Sequence, residues 1–191
     1  MKKLLFINLF LILFISCINK NPDSIKSKSD NDVVGYFDKE KFPLIQEAIK
    51  LQHQNKDDEA IKKFDEAEDE YGKSVIISLN RGVAYRKLRK LNLAVDDFSY
   101  CLELNPNYYP ALVNRGIVYG YLNDYAEALN DLDKAIKLNP EHPIGYLNRA
   151  VIYMMQKNND LACEDLIRAK NNDSNNEYQN DILKYQSKYC D

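Results

Sequence analysis

The sequence predicts an all-α solenoid, in which four helix-turn-helix units stack in register and a single C-terminal capping helix closes the stack. Three observations carry this. The phrase Leu79-Asn80-Arg81-Gly82 returns as Val113-Asn114-Arg115-Gly116 and as Leu147-Asn148-Arg149-Ala150, a spacing of 34 residues each time. Each small residue is followed at fixed distances by a tyrosine (Tyr85, Tyr119, Tyr153), an alanine (Ala94, Ala128, Ala162) and a large apolar residue (Phe98, Leu132, Leu166). Near the C-terminus, Tyr178, Ile182, Tyr185 and Tyr189 recur at the spacing of one helical face.

Taken in order, the first unit is the least obvious. Residues 41–74 place Ala48, Leu51, Ala60, Phe64 and Ala67 one period before their clearer counterparts. Pro43 suits the first turn of a helix, where a missing N–H is no loss. Gly72 is expected to end the second helix. The clear units are 75–108, 109–142 and 143–176. Their eighth position holds Gly82, Gly116 and Ala150, their twentieth Ala94, Ala128 and Ala162, and their twenty-seventh Cys101, Ala135 and Ala169. Small side chains at these places let two helices of a unit lie close together. Pro106 and Pro140 close two units, and Ser174 stands in that place in the last.

These units resemble tetratricopeptide repeats, whose pattern sets a small residue and a Tyr on the first helix, A-x3-F on the second, and Pro near the end. The resemblance implies a domain over 39–191 that binds proteins through the face formed by the first helices. Residues 177–190 have Lys184 where a repeat would need a small residue. They carry polar Glu177, Asn180, Asp181, Lys184 and Lys188 opposite the aromatic face, so they predict a capping helix and not a fifth unit.

The N-terminus reads differently. Lys2-Lys3, a nearly unbroken apolar run from Leu4 to Ile15, and Ser16 describe a signal peptide over 1–16. The run is too short for a bilayer core, which needs about 20 residues. Phe14-Ile15-Ser16-Cys17 resembles a bacterial lipobox, with an unusual Phe14. That resemblance implies lipidation of Cys17, export, and a membrane anchor in the cell envelope. Ile18 after the cysteine would favour the outer membrane by the enterobacterial rule. An ordinary signal peptide beside a coincidental cysteine is the alternative. Residues 17–38 are rich in Asn, Lys, Asp and Ser and predict a flexible tether, since they have too little apolar surface to offset ordering entropy.

Two positions vary together. The seventh holds Arg81, Arg115 and Arg149, and the twenty-third holds Asp97, Asp131 and Asp165. In the first unit the same places hold Glu47 and Lys63, with the signs exchanged. Pairing within each unit brings opposite charges together every time, and predicts a salt bridge between the two helices of a unit. It should be bidentate where Arg meets Asp. The alternative puts these arginines on an acidic ligand.

In tetratricopeptide repeats the first helix presents positions 2, 5, 9, 12 and 13 to the concave surface. Here they include Ile76, Leu79, Val83, Arg86 and Lys87, then Val113, Ile117 and Tyr121, then Ile144, Leu147, Val151, Met154 and Met155. This apolar set is expected to form a partner-binding groove for a peptide or an amphipathic helix, with the methionines as adaptable contacts. Two alternatives stay open: the same residues pack against neighbouring first helices, or they bury a homodimer interface. The carboxylate clamp of chaperone-binding repeats needs lysines where this chain has apolar residues or Pro. Its Asn80, Asn114 and Asn148 therefore have no clamp around them.

Catalytic and cofactor sites are not expected. The two histidines, His53 and His142, lie in different units without metal-ligand spacing, and His142 is expected to be a solvated turn residue. No nucleophile arrangement or phosphate loop is present. With 29 acidic against 26 basic residues, the net charge of −3 argues against a nucleic-acid partner. Cys101 fits a buried core thiol. Cys163 and Cys190 can approach each other across the last unit and the cap, either as a disulfide or as free thiols. The functional expectation is a non-catalytic scaffold or adaptor for a protein or peptide. The alternative is a cell-surface accessory protein for carbohydrate or enzyme complexes, with Tyr108, Tyr109, Tyr119 and Tyr121 as its sugar-stacking candidates.

Overall fold

A computed structural model describes residues 42–190 of the chain. The signal peptide, Cys17 and the tether lie outside the described residues. Within them are nine α-helices and no strand. They form four antiparallel pairs: α1 (Pro43–His53) with α2 (Asp57–Tyr71), α3 (Val75–Lys87) with α4 (Leu91–Leu104), α5 (Tyr109–Leu122) with α6 (Tyr125–Leu138), and α7 (Pro143–Met155) with α8 (Asn159–Asn172). A single helix, α9 (Gln179–Tyr189), follows. Each second helix packs on its own partner and on the first helix of the next pair, and α8 packs on α9. The chain is the all-α solenoid that the repeat predicts.

The recurring small residues explain how the pairs close. Ala48, Ala60, Ala67, Ala94, Cys101, Ala128, Ala135, Ala150, Ala162 and Ala169 are all fully buried, as are Phe64, Phe98, Leu132 and Leu166. At Gly116 a Cβ would stand 2.9 Å from Leu132 Cγ and 3.2 Å from the carbonyl oxygen of Ala128. There α5 and α6 are too close for any side chain without movement. Each large residue at this contact contributes about 1.5–3 kcal/mol by leaving water.

Local signals set the ends. Ser74 caps α3 by accepting a 3.3 Å hydrogen bond from the Ile77 N–H, and Asn158 caps α8 through the Leu161 N–H, also at 3.3 Å. Gly72, at φ +83°, ends α2. His142 differs from its expected role as a solvated turn residue. It is half-buried, its Nδ1 accepts from the Ile144 N–H at 3.3 Å to cap α7, and its ring lies 5.4 Å from that of Tyr109.

The turn inside each unit repeats a backbone device that sequence reasoning did not foresee. Asn55, Arg89, Asn123 and Lys157 all take the left-handed conformation, with φ of 58°, 61°, 66° and 61°. Each is followed by a residue whose N–H reaches back to a carbonyl near the end of the first helix: Lys56 to Leu51, Lys90 to Tyr85, Asp124 to Tyr119 and Asn158 to Tyr153. This satisfies carbonyls that the helix end would otherwise orphan. None of the four is glycine. Lys157→Gly is therefore expected to stabilise the domain by about 0.5 kcal/mol, the relief of left-handed strain outweighing the looser unfolded chain. Asn123→Gly should gain less, because Asn tolerates this conformation better. Thermal melts of the two variants check the order.

The cap follows the same logic. Tyr178, Ile182 and Tyr185 turn inward and are buried, with Tyr189 half-buried beside them. The buried carboxylate of Asp173 accepts from the N–H groups of Glu177 and Tyr178, both at 2.9 Å, and fixes the entry into α9. Cys163 on α8 and Cys190 after α9 are joined by a disulfide, with Cα atoms 5.7 Å apart. Cys101 is the free, buried thiol, its Sγ 3.7 Å from the Val75 carbonyl oxygen, and burial pushes its pKa up to about 12.

Candidate functional site

Two features are built by the repeat and are candidates for function: the face of the first helices, and a ladder of arginines between units.

On the first helices, the thirteen expected groove residues divide by depth. Val83, Arg86, Val113, Ile117, Ile144, Leu147, Val151 and Met154 are buried. Ile76, Leu79, Lys87, Tyr121 and Met155 are half-buried, and none of the thirteen is freely exposed. At these eight positions the structure matches the packing alternative, and the residues left for a groove are the five half-buried ones. In chain terms, the first helices touch one another directly, α3 with α5 and α5 with α7. Gly120 lies so close to Ile152 that a Cβ there would collide with it, and Met155 packs in the same cluster as Ile152, Ala128 and Leu132.

Polar residues on these helices have mainly structural partners. The Asn80, Asn114 and Asn148 side chains donate to the carbonyls of Ile76, Pro110 and Ile144, four residues back in their own helices, at 2.8, 2.8 and 2.9 Å. Buried Gln52 of α1 donates to the Asn80 carbonyl at 2.8 Å and ties α1 to α3. Lys87 pairs with Asp57 at 3.3 Å; burial raises the Asp57 carboxyl, with Lys87 pulling it the other way. The Arg89 guanidinium lies 4.0 Å over the Tyr121 ring. Burial pushes the Tyr121 phenol up to about 12, against the opposing charges of Arg86 and Arg89.

The arginine ladder has the bidentate geometry that covariation inside the sequence predicts. Arg81 donates Nε and Nη2 to Asp97, both at 2.9 Å; Arg115 donates to Asp131 at 2.8 and 2.9 Å; Arg149 donates to Asp165 at 2.7 and 2.8 Å. The three aspartates are buried. In the first unit the reversed pair is looser, with Lys63 at 3.8 Å from Glu47 and 2.6 Å from Glu66. Tyr119 and Tyr153, one turn on from their arginines, lie 5.6 and 6.0 Å from the guanidinium carbon.

A second arm of the ladder went unread in the sequence. The Nη1 of each arginine reaches back to the preceding unit: Arg81 to Asp65 at 2.7 Å, Arg115 to the Ser99 hydroxyl at 3.0 Å, and Arg149 to Asp133 at 2.5 Å. Arg81 also contacts Glu68. Each arginine thus joins its own second helix to that of the unit before it. The signal was available, because residues 65, 99 and 133 stand at the same repeat spacing as the arginines. Burial opposes the charge on Arg81, and Asp97, Asp65 and Glu68 overcome it, so the guanidinium is held more firmly protonated than usual.

Among the described residues no group of His, Cys, Asp or Glu is arranged to hold a metal ion, and no helix is long and apolar enough to cross a membrane.

Comparison with known proteins agrees with this architecture. The tetratricopeptide repeat family model matches residues 75–108 and 109–142. Among solved structures, the chain is similar to a tetratricopeptide repeat protein from Parabacteroides merdae, with 25% identity and a TM-score of 0.65 over 76% of this chain. The similarity spans 58% of that protein's length. A thermophilic repeat protein of Thermus thermophilus matches with 18% identity and a TM-score of 0.67, covering 76% of this chain and 80% of its own. The TPR2B domain of yeast Sti1, solved as a complex with pHsp70, matches with 22% identity and a TM-score of 0.58, covering 60% of this chain and 94% of its own. The comparison with curated proteins finds no match. Residues 75–142 thus match the tetratricopeptide repeat model in sequence, and the four helix pairs carry the same repeat fold over the rest of the described stack.

Proposed function

We propose that this protein is a non-catalytic scaffold that binds a protein or peptide partner on the face of its first helices, held at the bacterial cell envelope by a lipid on Cys17. The observation that carries the binding reading is the composition of that face. Five side chains, Ile76, Leu79, Lys87, Tyr121 and Met155, keep partial exposure above a buried apolar layer. Apolar contacts edged by the Lys87–Asp57 ion pair suit an amphipathic helix or peptide, and the unbranched thioether of Met155 adapts to different partners. The Sti1 domain in its complex with pHsp70 is an instance of the same fold engaging a partner. The lysines of the carboxylate clamp have no counterparts here, so a different peptide chemistry is expected.

The carbohydrate alternative is less favoured by the tyrosines. The Tyr121 ring is covered by Arg89, Tyr119 lies beside Arg115, and Tyr109 lies beside His142, which leaves few free aromatic faces.

A photoreactive residue at Met155, introduced in the full-length protein in cells, tests the binding reading. Capture of one dominant partner, lost when Leu79 is changed to Glu, supports it. Capture only of a second copy of the chain supports the homodimer instead. The anchor is tested separately. Cys17→Ser is expected to lose the acyl mass on the N-terminal peptide and to move the protein from the membrane to the soluble fraction. An unchanged distribution overturns the anchor but not the binding face.

A further inference from the structure

The three junctions of the arginine ladder are not equivalent, and the odd one coincides with a cavity. Arg81 contacts three carboxylates (Asp97, Asp65 and Glu68), Arg149 contacts two (Asp165 and Asp133), and Arg115 contacts Asp131 alone, with its Nη1 on the Ser99 hydroxyl. Side-chain exposure rises in the same order, 11%, 16% and 21%. Ser99 stands one period after Asp65 and one before Asp133. Asn130 likewise stands between Asp96 and Glu164 in the repeat, and Lys134 between Tyr100 and Arg168. At two aligned positions, therefore, this junction alone lacks a carboxylate that its neighbours carry.

Ser99, Arg115, Asn130 and Lys134 all line one open cavity of about 300 Å³ between the second and third units. Lys134 forms no ion pair among the described residues, and Asp131 is already engaged by two arginine nitrogens. The lining thus balances Arg115 and Lys134 against Asp131 and Glu103, but with Asp131 held by Arg115 it leaves the Lys134 ammonium and the Ser99 and Asn130 donors facing the cavity. We propose that this cavity is a binding site for a small oxyanion, a carboxylate or phosphate group, which takes the place beside Arg115 Nη1 that Asp65 and Asp133 fill at the other junctions. The Ser99 hydroxyl and the Asn130 amide supply neutral donors, and Lys134 supplies the second charge. Glu103, also at the cavity, opposes the anion and keeps binding weak, in the range of about 1 mM. The site lies on the side of the second helices, so it does not depend on a partner occupying the first-helix face.

The test is a titration of the full chain with inorganic phosphate and, separately, with acetate, at constant ionic strength made up with chloride. Nitrogen-edited NMR of the arginine Nε–H groups gives Arg115 as reporter and Arg81 and Arg149 as internal controls. Saturable shifts at Arg115 but not at its two counterparts are expected. Saturation by phosphate alone assigns a phosphate-bearing ligand, by acetate alone a carboxylate, and by both the shared oxyanion chemistry. Ser99→Asp should abolish the response by supplying the missing carboxylate, while its melting temperature rises by a few degrees, which shows that the fold is intact. Lys134→Gln should weaken binding severalfold without changing the melt. Equal responses at all three arginines, no saturation up to about 100 mM, or a response that survives Ser99→Asp would each overturn the proposal.

Discussion

Arg81→Ala is expected to destabilise the domain by about 3–5 kcal/mol, because it strands a buried carboxylate. The Asp97 side chain is 5% exposed and receives both parallel bonds of its ion pair from Arg81. Without the guanidinium it must stay charged and unsolvated or take up a proton, and burial already raises its pKa. The outer contacts contribute less. Asp65 is 51% exposed, and a pair at such a surface is worth at most about 1 kcal/mol. Asp97→Ala should therefore cost less than Arg81→Ala, since Arg81 keeps Asp65 and Glu68. The double variant should be clearly more stable than the sum of the singles predicts. Arg81→Lys keeps the charge but loses the planar fork, and should fall between wild type and Arg81→Ala. Urea denaturation with a common slope measures all four. Additive singles, or a loss below about 1 kcal/mol for Arg81→Ala, would mean the pair is not coupled.

That prediction rests on a contact the repeat itself made legible. Exchange of sign between Glu47/Lys63 and the Arg/Asp pairs pointed to pairing within a unit, and the close bidentate geometry is found in three of them. The same internal comparison held the second arm, through Asp65, Ser99 and Asp133, but those residues sit on an outer helix surface where acidic side chains are usually solvated. Nothing in their type marks them as partners; only the length of the arginine carries Nη1 across to them. Fold class was legible for a stronger reason. A small residue every 34 positions is demanded by close helix contact, and Gly116 against Leu132 leaves no alternative. Depth was not legible. The positions of Val113, Ile117 and Val151 tell which side of a helix they occupy, but burial there depends on how tightly successive first helices are wound. His142 was misread because a Pro-flanked turn suggests solvent, whereas its ring is held as the cap of α7. The left-handed turn residues were legible only in part, since Asn55 and Asn123 suit that conformation whereas Arg89 and Lys157 are unusual choices for it.

The pairing of Cys163 with Cys190 is of the kind that sequence leaves open, because a separation of 27 residues gives no distance. The fold brings the two together by running α9 back along α8, so that the covalent bond closes the solenoid at its last, otherwise uncovered end. Closing a loop of this length is expected to stabilise by about 3.5 kcal/mol through loss of unfolded-state entropy. Cys190→Ser should therefore lower the melting temperature of the oxidised protein by a margin comparable with the loss of Arg81. Adding reductant should lower wild type to the same point and leave the variant unmoved. Because neighbours in a repeat stack support one another, the loss should be largest at the C-terminal end. Hydrogen exchange should quicken in α9 and α8 first, with α1 to α4 nearly unchanged. Tyr178, Ile182 and Tyr185 remain apolar and well placed without the bond, so α9 should loosen but still cover the end of the stack at low temperature. Mass analysis of alkylated, unreduced protein should find one modified thiol among these three cysteines after denaturation, that of Cys101. Such a bond persists in an oxidising compartment, which is where the proposed export and anchor would put the domain. If reductant leaves the melt unchanged, the cap is held by packing alone and the covalent closure contributes nothing.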